Sequence, residues 1–166
     1  MIRTTRASSM AAMPAAALLL TLTSACGAAH SGDVQPDAVE KKARTLLQQT
    51  LDALHPTVGT PGTTAYSDRW TQCATETPGQ HRFRYVYGLA LAVPQAKAKA
   101  VMRAANAYFT KQGYTVNYSD APDKRTTAGL PKSEWTVGLG VQSAESIVLE
   151  VNSGCVFTRH DPKTKA

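Results

Sequence analysis

Apolar positions recur along the chain with two different spacings, and together they lay out a small mixed domain. Val39, Ala43, Leu46, Leu47, Thr50 and Leu54 follow the three-to-four spacing of one helix face, with Lys41, Lys42, Arg44, Gln48, Gln49 and Asp52 on the remaining surface. Asp37, with Glu40 three residues on, forms a capping box at the start of that helix. His55-Pro56 marks its end, because the residue before a proline disfavours the helical region. Residues 56–64 read as a loop from their Pro, Gly and Thr content, and residues 69–76 as a strand that carries Trp70 and Cys73. Thr77-Pro78-Gly79-Gln80 has Pro and Gly where a type II turn takes them, which makes a hairpin with the next segment.

That segment, 81–93, has a period of two. His81, Phe83, Tyr85, Tyr87, Leu89, Leu91 and Val93 share one face, and Arg82, Arg84, Val86, Gly88, Ala90 and Ala92 the other. The first set is the core face. The small residues on the other face predict either a close neighbour there or a bulge at Gly88. Pro94 then opens a second helix, with Ala98, Val101, Met102, Ala105, Tyr108 and Phe109 as its apolar stripe and Gly113 as its C-terminal cap. Lys97, Lys99, Arg103 and Lys111 are its solvated face. Alternation returns at Tyr114, Val116 and Tyr118, at Trp135, Val137, Leu139 and Val141, and at Ile147, Leu149 and Val151. Between the first two of these strands, residues 119–133 read as a long polar loop, and residues 142–145 read as a hairpin turn.

The predicted order is helix, strand, strand, helix, strand, strand, strand. This is an α+β domain over residues 36–158, an antiparallel sheet of about five strands with both helices on the face bearing Phe83, Tyr85, Leu89, Trp135, Val137, Leu139, Ile147 and Leu149. Residues 159–166 are a polar tail.

The N-terminal pattern is different in kind. Arg3 and Arg6 precede an apolar run from Ala11 to Leu22, about a dozen residues where a bilayer span takes roughly 20. That is the build of an export signal over residues 1–25. Ser24, Ala25 and Cys26 resemble the lipobox of bacterial lipoproteins, in which a cysteine after small residues is diacylated and becomes the mature N-terminus. The family prefers Leu three residues before the cysteine; here Thr23 holds that place and Leu22 lies one step back. Ordinary cleavage near Ala25 or Ala29 would give a soluble secreted protein instead. Residues 26–35 are small and polar, a flexible tether to the domain. By general build, the whole sequence resembles the small Ala- and Thr-rich lipoproteins of actinobacteria that carry a lipobox cysteine and a two-cysteine α+β domain. The resemblance implies a membrane attachment through a lipid on Cys26 at the extracytoplasmic face.

Charge and cysteines fit that compartment. Losing Arg3 and Arg6 from the 18 basic residues leaves 16 against 12 acidic ones, a mild excess that outside a cell favours anionic lipid headgroups or cell-wall polymers. Of the three cysteines, Cys73 and Cys155 are left to pair in an oxidising space, and neither stands in a Cys-x-x-Cys or near a His at ligand spacing. A two-cysteine redox or metal site is the alternative.

Candidate chemistry is sparse. No Gly-x-Ser-x-Gly, His-Glu-x-x-His or phosphate-binding glycine motif occurs. His30, His55, His81 and His160 are scattered, with His81 as a partly buried strand-end residue, and Glu134, Glu145 and Glu150 offer no pair that sequence singles out. An envelope hydrolase would need two carboxylates, or one with His81, in a cleft. The aromatics and arginines of 82–88 fall on opposite faces, unlike an RNA-binding strand, and no nucleic-acid partner is expected. Asp120 and Asp123 do not fit a calcium loop, and no cofactor is implied. The expected activity is binding: a cell-envelope protein or polymer held at Arg82 and Arg84 on one sheet face, or at Asp120, Asp123, Lys124 and Arg125 in the long polar stretch.

Overall fold

The computed structural model describes residues 34–74, 81–118, 121–158 and 161–162. The chain forms helix α1 (Pro36–Val58), strands β1 (Thr63–Gln72) and β2 (Arg82–Ala92), a short 3-10 turn (Gln95–Lys97), helix α2 (Ala98–Lys111) and strands β3 (Thr115–Tyr118), β4 (Arg125–Gly129), β5 (Thr136–Ser143) and β6 (Ser146–Phe157). The six strands make one sheet in the order β1-β2-β6-β5-β4-β3, every neighbouring pair antiparallel. The α+β architecture with two helices is therefore as the alternation predicts, with one more strand.

The extra strand is β4, inside the segment 119–133 that reads as loop. Its residues alternate, with Thr126 and Ala128 buried, but neither is large or apolar, so no hydrophobic period marks them. Thr126 Oγ1 donates to Asn106 Oδ1 on α2, a polar anchor where sequence reading looks for an apolar one. β1 likewise starts earlier than its Trp and Cys suggest. It pairs with β2 from Thr63 opposite Leu91 to Gln72 opposite Phe83, and as an edge strand with mostly exposed side chains it shows little alternation. β6 runs on to Phe157, beyond the apolar alternation that ends at Val151.

Both helices lie on one face, α1 over β2 and β6 and α2 over β3 to β5. Val39, Ala43, Leu47, Thr50 and Leu54 of α1, and Ala98, Val101, Met102, Ala105 and Phe109 of α2, are buried against Phe83, Tyr85, Leu91, Val137, Leu139, Ile147, Leu149 and Val151. Each large apolar side chain buried in this way contributes about 1.5–3 kcal/mol. The helix ends differ in how they are held. α1 has no side-chain cap: Gln35 precedes it, Pro36 occupies its first turn, and Asp37 stands inside the helix where its charge meets the amino-terminal dipole. Glu40 instead accepts from Trp70 Nε1 at 2.9 Å and joins α1 to β1. α1 also passes Pro56 and ends at Val58, because the Gly59 N–H reaches back to His55 O at 2.8 Å and carries the ladder beyond the proline. At the end of α2, the Gly113 N–H bonds to Thr110 O and the Tyr114 N–H to Phe109 O, with the Phe109 and Tyr114 rings stacked at 6.1 Å. This is a Schellman cap, and Gly113 at φ +74° supplies its left-handed residue.

Candidate functional site

The face of the sheet opposite the helices is organised by register. Residues directly opposite one another on neighbouring strands share a face. One row on the helix-free side runs Arg125, Gly140, Val148, Ala90, Thr64; the next runs Thr127, Gly138, Glu150, Gly88, Ser67; the third runs Gly129, Thr136, Asn152, Val86, Arg69. Glycine or alanine thus stands on both sides of the central residue of the first two rows, Val148 and Glu150, so little rises from the backbone around them. A groove of about 590 Å³ lies over this floor, within the size range of small-ligand sites.

Its walls carry the chemistry. Tyr66 stands on one side, inserted where the β1 register shifts between Ala65 and Ser67. The ring packs on bare backbone: a Cβ on Gly88 would lie 3.4 Å from Tyr66 Cδ1 and 3.3 Å from Leu149 O. Small residues opposite the core face predict such a close neighbour, and the bulge belongs to β1 beside Gly88 rather than to Gly88 itself. Lys124, Arg125 and Thr127 stand at the far side of the groove, on β4 or just before it, and Thr136, Glu150 and Asn152 line it from β5 and β6. Gly138 lies close under its neighbours, since a Cβ there would meet Thr126 O and Thr127 Oγ1 at 3.0 Å. Gly138→Ala is expected to disturb the groove floor and cost about 1–2 kcal/mol through overpacking, read by urea denaturation.

The sequence-predicted partner residues are divided by this geometry. Lys124 and Arg125 reach the groove. Arg84 is exposed on the same sheet face towards the other end of β2, and Arg82 lies partly buried with its guanidinium 5.1 Å from the centre of the Phe157 ring. Asp123 turns to α2, 3.2 Å from Lys99 Nζ. Asp120 and Cys26 lie outside the described residues, as do the turn at 77–80, residues 1–33 and most of the polar tail. Cys73 and Cys155 form a disulfide with their Cα atoms 6.3 Å apart, tying the chain just past β1 to β6 with β2 between them. His81 is exposed rather than half-buried, since it precedes β2 at the sheet's margin. Glu134 accepts from the Cys155 backbone N–H at 3.1 Å, Glu145 sits in the exposed β5–β6 turn, and Glu150 alone of the three lines the groove. Among the described residues, no helix is long and apolar enough to cross a membrane, and no three His, Cys, Asp or Glu side chains gather as a metal site.

The main polar cluster on the helix side joins α1 to the sheet. Arg44 donates to Asp68 at 2.7 Å and to the Tyr85 hydroxyl at 3.3 Å, and the Tyr85 hydroxyl donates to Asp68 at 2.5 Å. The Arg44 guanidinium also lies 4.3 Å from the centre of the Tyr87 ring. Burial first, and then the bond to Asp68, hold the Tyr85 phenol well above its ordinary range. Burial raises Tyr108 and Tyr114 in the same direction. A raised phenol keeps its proton in the folded chain after the unfolded chain has released one, near pH 10. The contribution is thus complete below about pH 10 and declines as pH rises beyond it. Denaturation between pH 9 and 11 is expected to show that decline, and Tyr85→Phe to reduce its slope while costing about 1–2 kcal/mol at neutral pH.

No protein-family model matches the chain, and no curated protein or solved structure resembles it. The groove residues therefore stand on their own geometry. Sequence reading missed Tyr66, which falls between an expected loop and an expected strand; it named Glu150 only among three glutamates without a partner, left Thr127 inside the expected 119–133 loop, and did not single out Thr136 or Asn152. The usable signal was Gly138-x-Gly140 alternating with Leu139, the same small-outward pattern as Gly88-x-Ala90.

Proposed function

We propose that this chain is a lipid-anchored binding module of the bacterial cell envelope, held on the extracytoplasmic side by Cys26 and using the helix-free face of its sheet as the binding surface. The observation that carries the binding part is the groove itself, floored by Gly88, Gly138 and Gly140 and covered by neither helix. The anchoring part is supported by the basic start, the short apolar run and the small residues before Cys26. The Cys73–Cys155 bond adds to it by leaving Cys26 as the odd cysteine, in a pairing suited to an oxidising compartment.

The Val34 N–H bonds to Phe157 O, so the described chain begins beside the end of β6. The groove's far row crosses β6 at Val148, nine residues earlier and about 31 Å away along the strand. A tether from Cys26 to Val34 spans eight residue steps, at most about 29 Å. In this reading the anchor joins the domain beside the end of β6, and the Lys124 and Arg125 end of the groove is the part farther from that attachment.

Intact mass on membrane and medium fractions from the native host, with and without reduction and alkylation, tests the proposal. It expects a membrane-bound species that begins at Cys26 with added acyl chains, and no alkylation of Cys73 or Cys155 before reduction. A soluble, unacylated species beginning near Cys26 or Ala29 would replace the anchor with a diffusing secreted protein.

A further inference from the structure

We infer that the groove is a saccharide site and that its ligand carries an acidic substituent. The inference rests on the reading of the helix-free face as the binding surface and names the chemistry that the surface would take. Three features converge on it. Tyr66 is 46% exposed and, with Val34, one of two large hydrophobic side chains so exposed among the described residues. Its ring leans on the backbone at Gly88 and stands beside the polar groups of the groove. A flat apolar surface with hydrogen-bonding groups alongside suits a pyranose, whose C–H face packs on the ring while its hydroxyls turn to the polar neighbours.

The second feature is Glu150. The residue is partly buried and rises from the centre of the floor, opposite Gly88 on one side and Gly138 on the other, with no hydrogen-bond or ion-pair partner for its carboxylate among the described residues. Carboxylate oxygens accept hydrogen bonds, so a ligand rich in O–H donors is the natural complement of one that stands in a groove without a protein partner. Thr127, Thr136 and Asn152 beside it both donate and accept.

The third is charge. Lys124 and Arg125 line the groove on the β4 side. Arg125 is two strands and one two-residue step from Glu150, which puts their Cα atoms about 12 Å apart. A ligand that spans this separation is longer than one sugar ring, with its hydroxyls at Glu150 and its anionic group at the Lys124 and Arg125 end. Among the described residues Glu150 is the one carboxylate that lines this groove, and glycosidic cleavage ordinarily takes a pair, so the inference is of binding and does not extend to hydrolysis.

The test uses the protein as the host makes it, with ligand-observed NMR and calorimetry against trigalacturonate, the neutral maltotriose and solubilised wall glycan of the host. An acidic oligosaccharide or an acidic wall fragment should bind at least about tenfold tighter than maltotriose at low salt. Tyr66→Ala and Glu150→Gln should each weaken binding about tenfold or more, Tyr66→Phe should retain it, and Lys124→Ala should abolish the acidic preference, all with unchanged melting curves. The inference is overturned if none of the three glycans binds at millimolar concentration, or if Tyr66→Ala leaves binding intact. Photoreactive groups at Thr136 and Gln142 separate the two claims. If they capture an envelope protein or lipid while no glycan binds, the saccharide fails and the binding face stands; if they capture nothing and no glycan binds, both fail.

Discussion

Replacing Cys73 and Cys155 together by serine lowers the stability of the domain by about 4 kcal/mol and its melting temperature by on the order of 15 °C. The two cysteines are 82 residues apart, and in the chain-entropy account a loop of that length contributes about 4.5 kcal/mol by restricting the unfolded chain. The bond matters for position as well. It joins the chain past β1 to β6 while β2 passes between, and β2 and β6 carry much of the buried core in Phe83, Tyr85, Leu91, Ile147, Leu149 and Val151. Urea denaturation of the oxidised protein and of the double variant measures the difference. Equal midpoints would mean that the bond contributes nothing beyond what the sheet already fixes.

Gly154→Ala is the second large effect, expected at about 3 kcal/mol. Two causes act at one position. Gly154 has φ +70°, where an L side chain costs about 1–2 kcal/mol. It also lies where β6 bulges against β2, since the pairing steps from Arg84 opposite Cys155 to Val86 opposite Asn152. A Cβ there would fall 2.3 Å from Glu134 Cβ and 2.9 Å from Glu134 O, so the backbone of the β4–β5 connection must move, which adds a further 1–3 kcal/mol or so. Gly113→Ala separates the causes. Gly113 has φ +74° and nothing within 4 Å of the added atom, so that variant should lose only the conformational part, about 1 kcal/mol. If both variants fall by the same amount under the same denaturant, the crowding at Glu134 has no energetic consequence.

The parts of the fold that could be read in advance are those in which one face is apolar and the other polar. The stripes of α1 and α2, and the alternation in β2, β5 and β6, carry Leu, Val, Ile, Phe and Tyr into the core and leave a period that burial follows. β4 and the first half of β1 lack that period for physical reasons. β4 buries Thr126 and Ala128, one satisfied by Asn106 and the other too small to stand out. β1 is an edge strand, and its helix-side residue Asp68 meets Arg44 and Tyr85 instead of an apolar partner.

The groove was less legible still. Each strand shows only its own small outward residues, and Gly88 and Gly138 become one floor only when Glu150 aligns them across the sheet. The basic residues Lys124 and Arg125 could be singled out from sequence, but not the surface they serve. Arg82 and Arg84, equally prominent in the sequence, lie on the same face near the opposite end of β2. Tyr66 depended on a one-residue bulge that no local pattern marks.

The central claim is that this molecule works through its helix-free sheet face. Photoreactive amino acids placed in turn at Thr136 in the groove and at Gln49 on the exposed side of α1, in protein made by the native host, test it most directly. The account predicts a covalent adduct with an envelope component from Thr136 and none from Gln49. An adduct from Gln49 with a silent groove would contradict it and move the working surface to the helices.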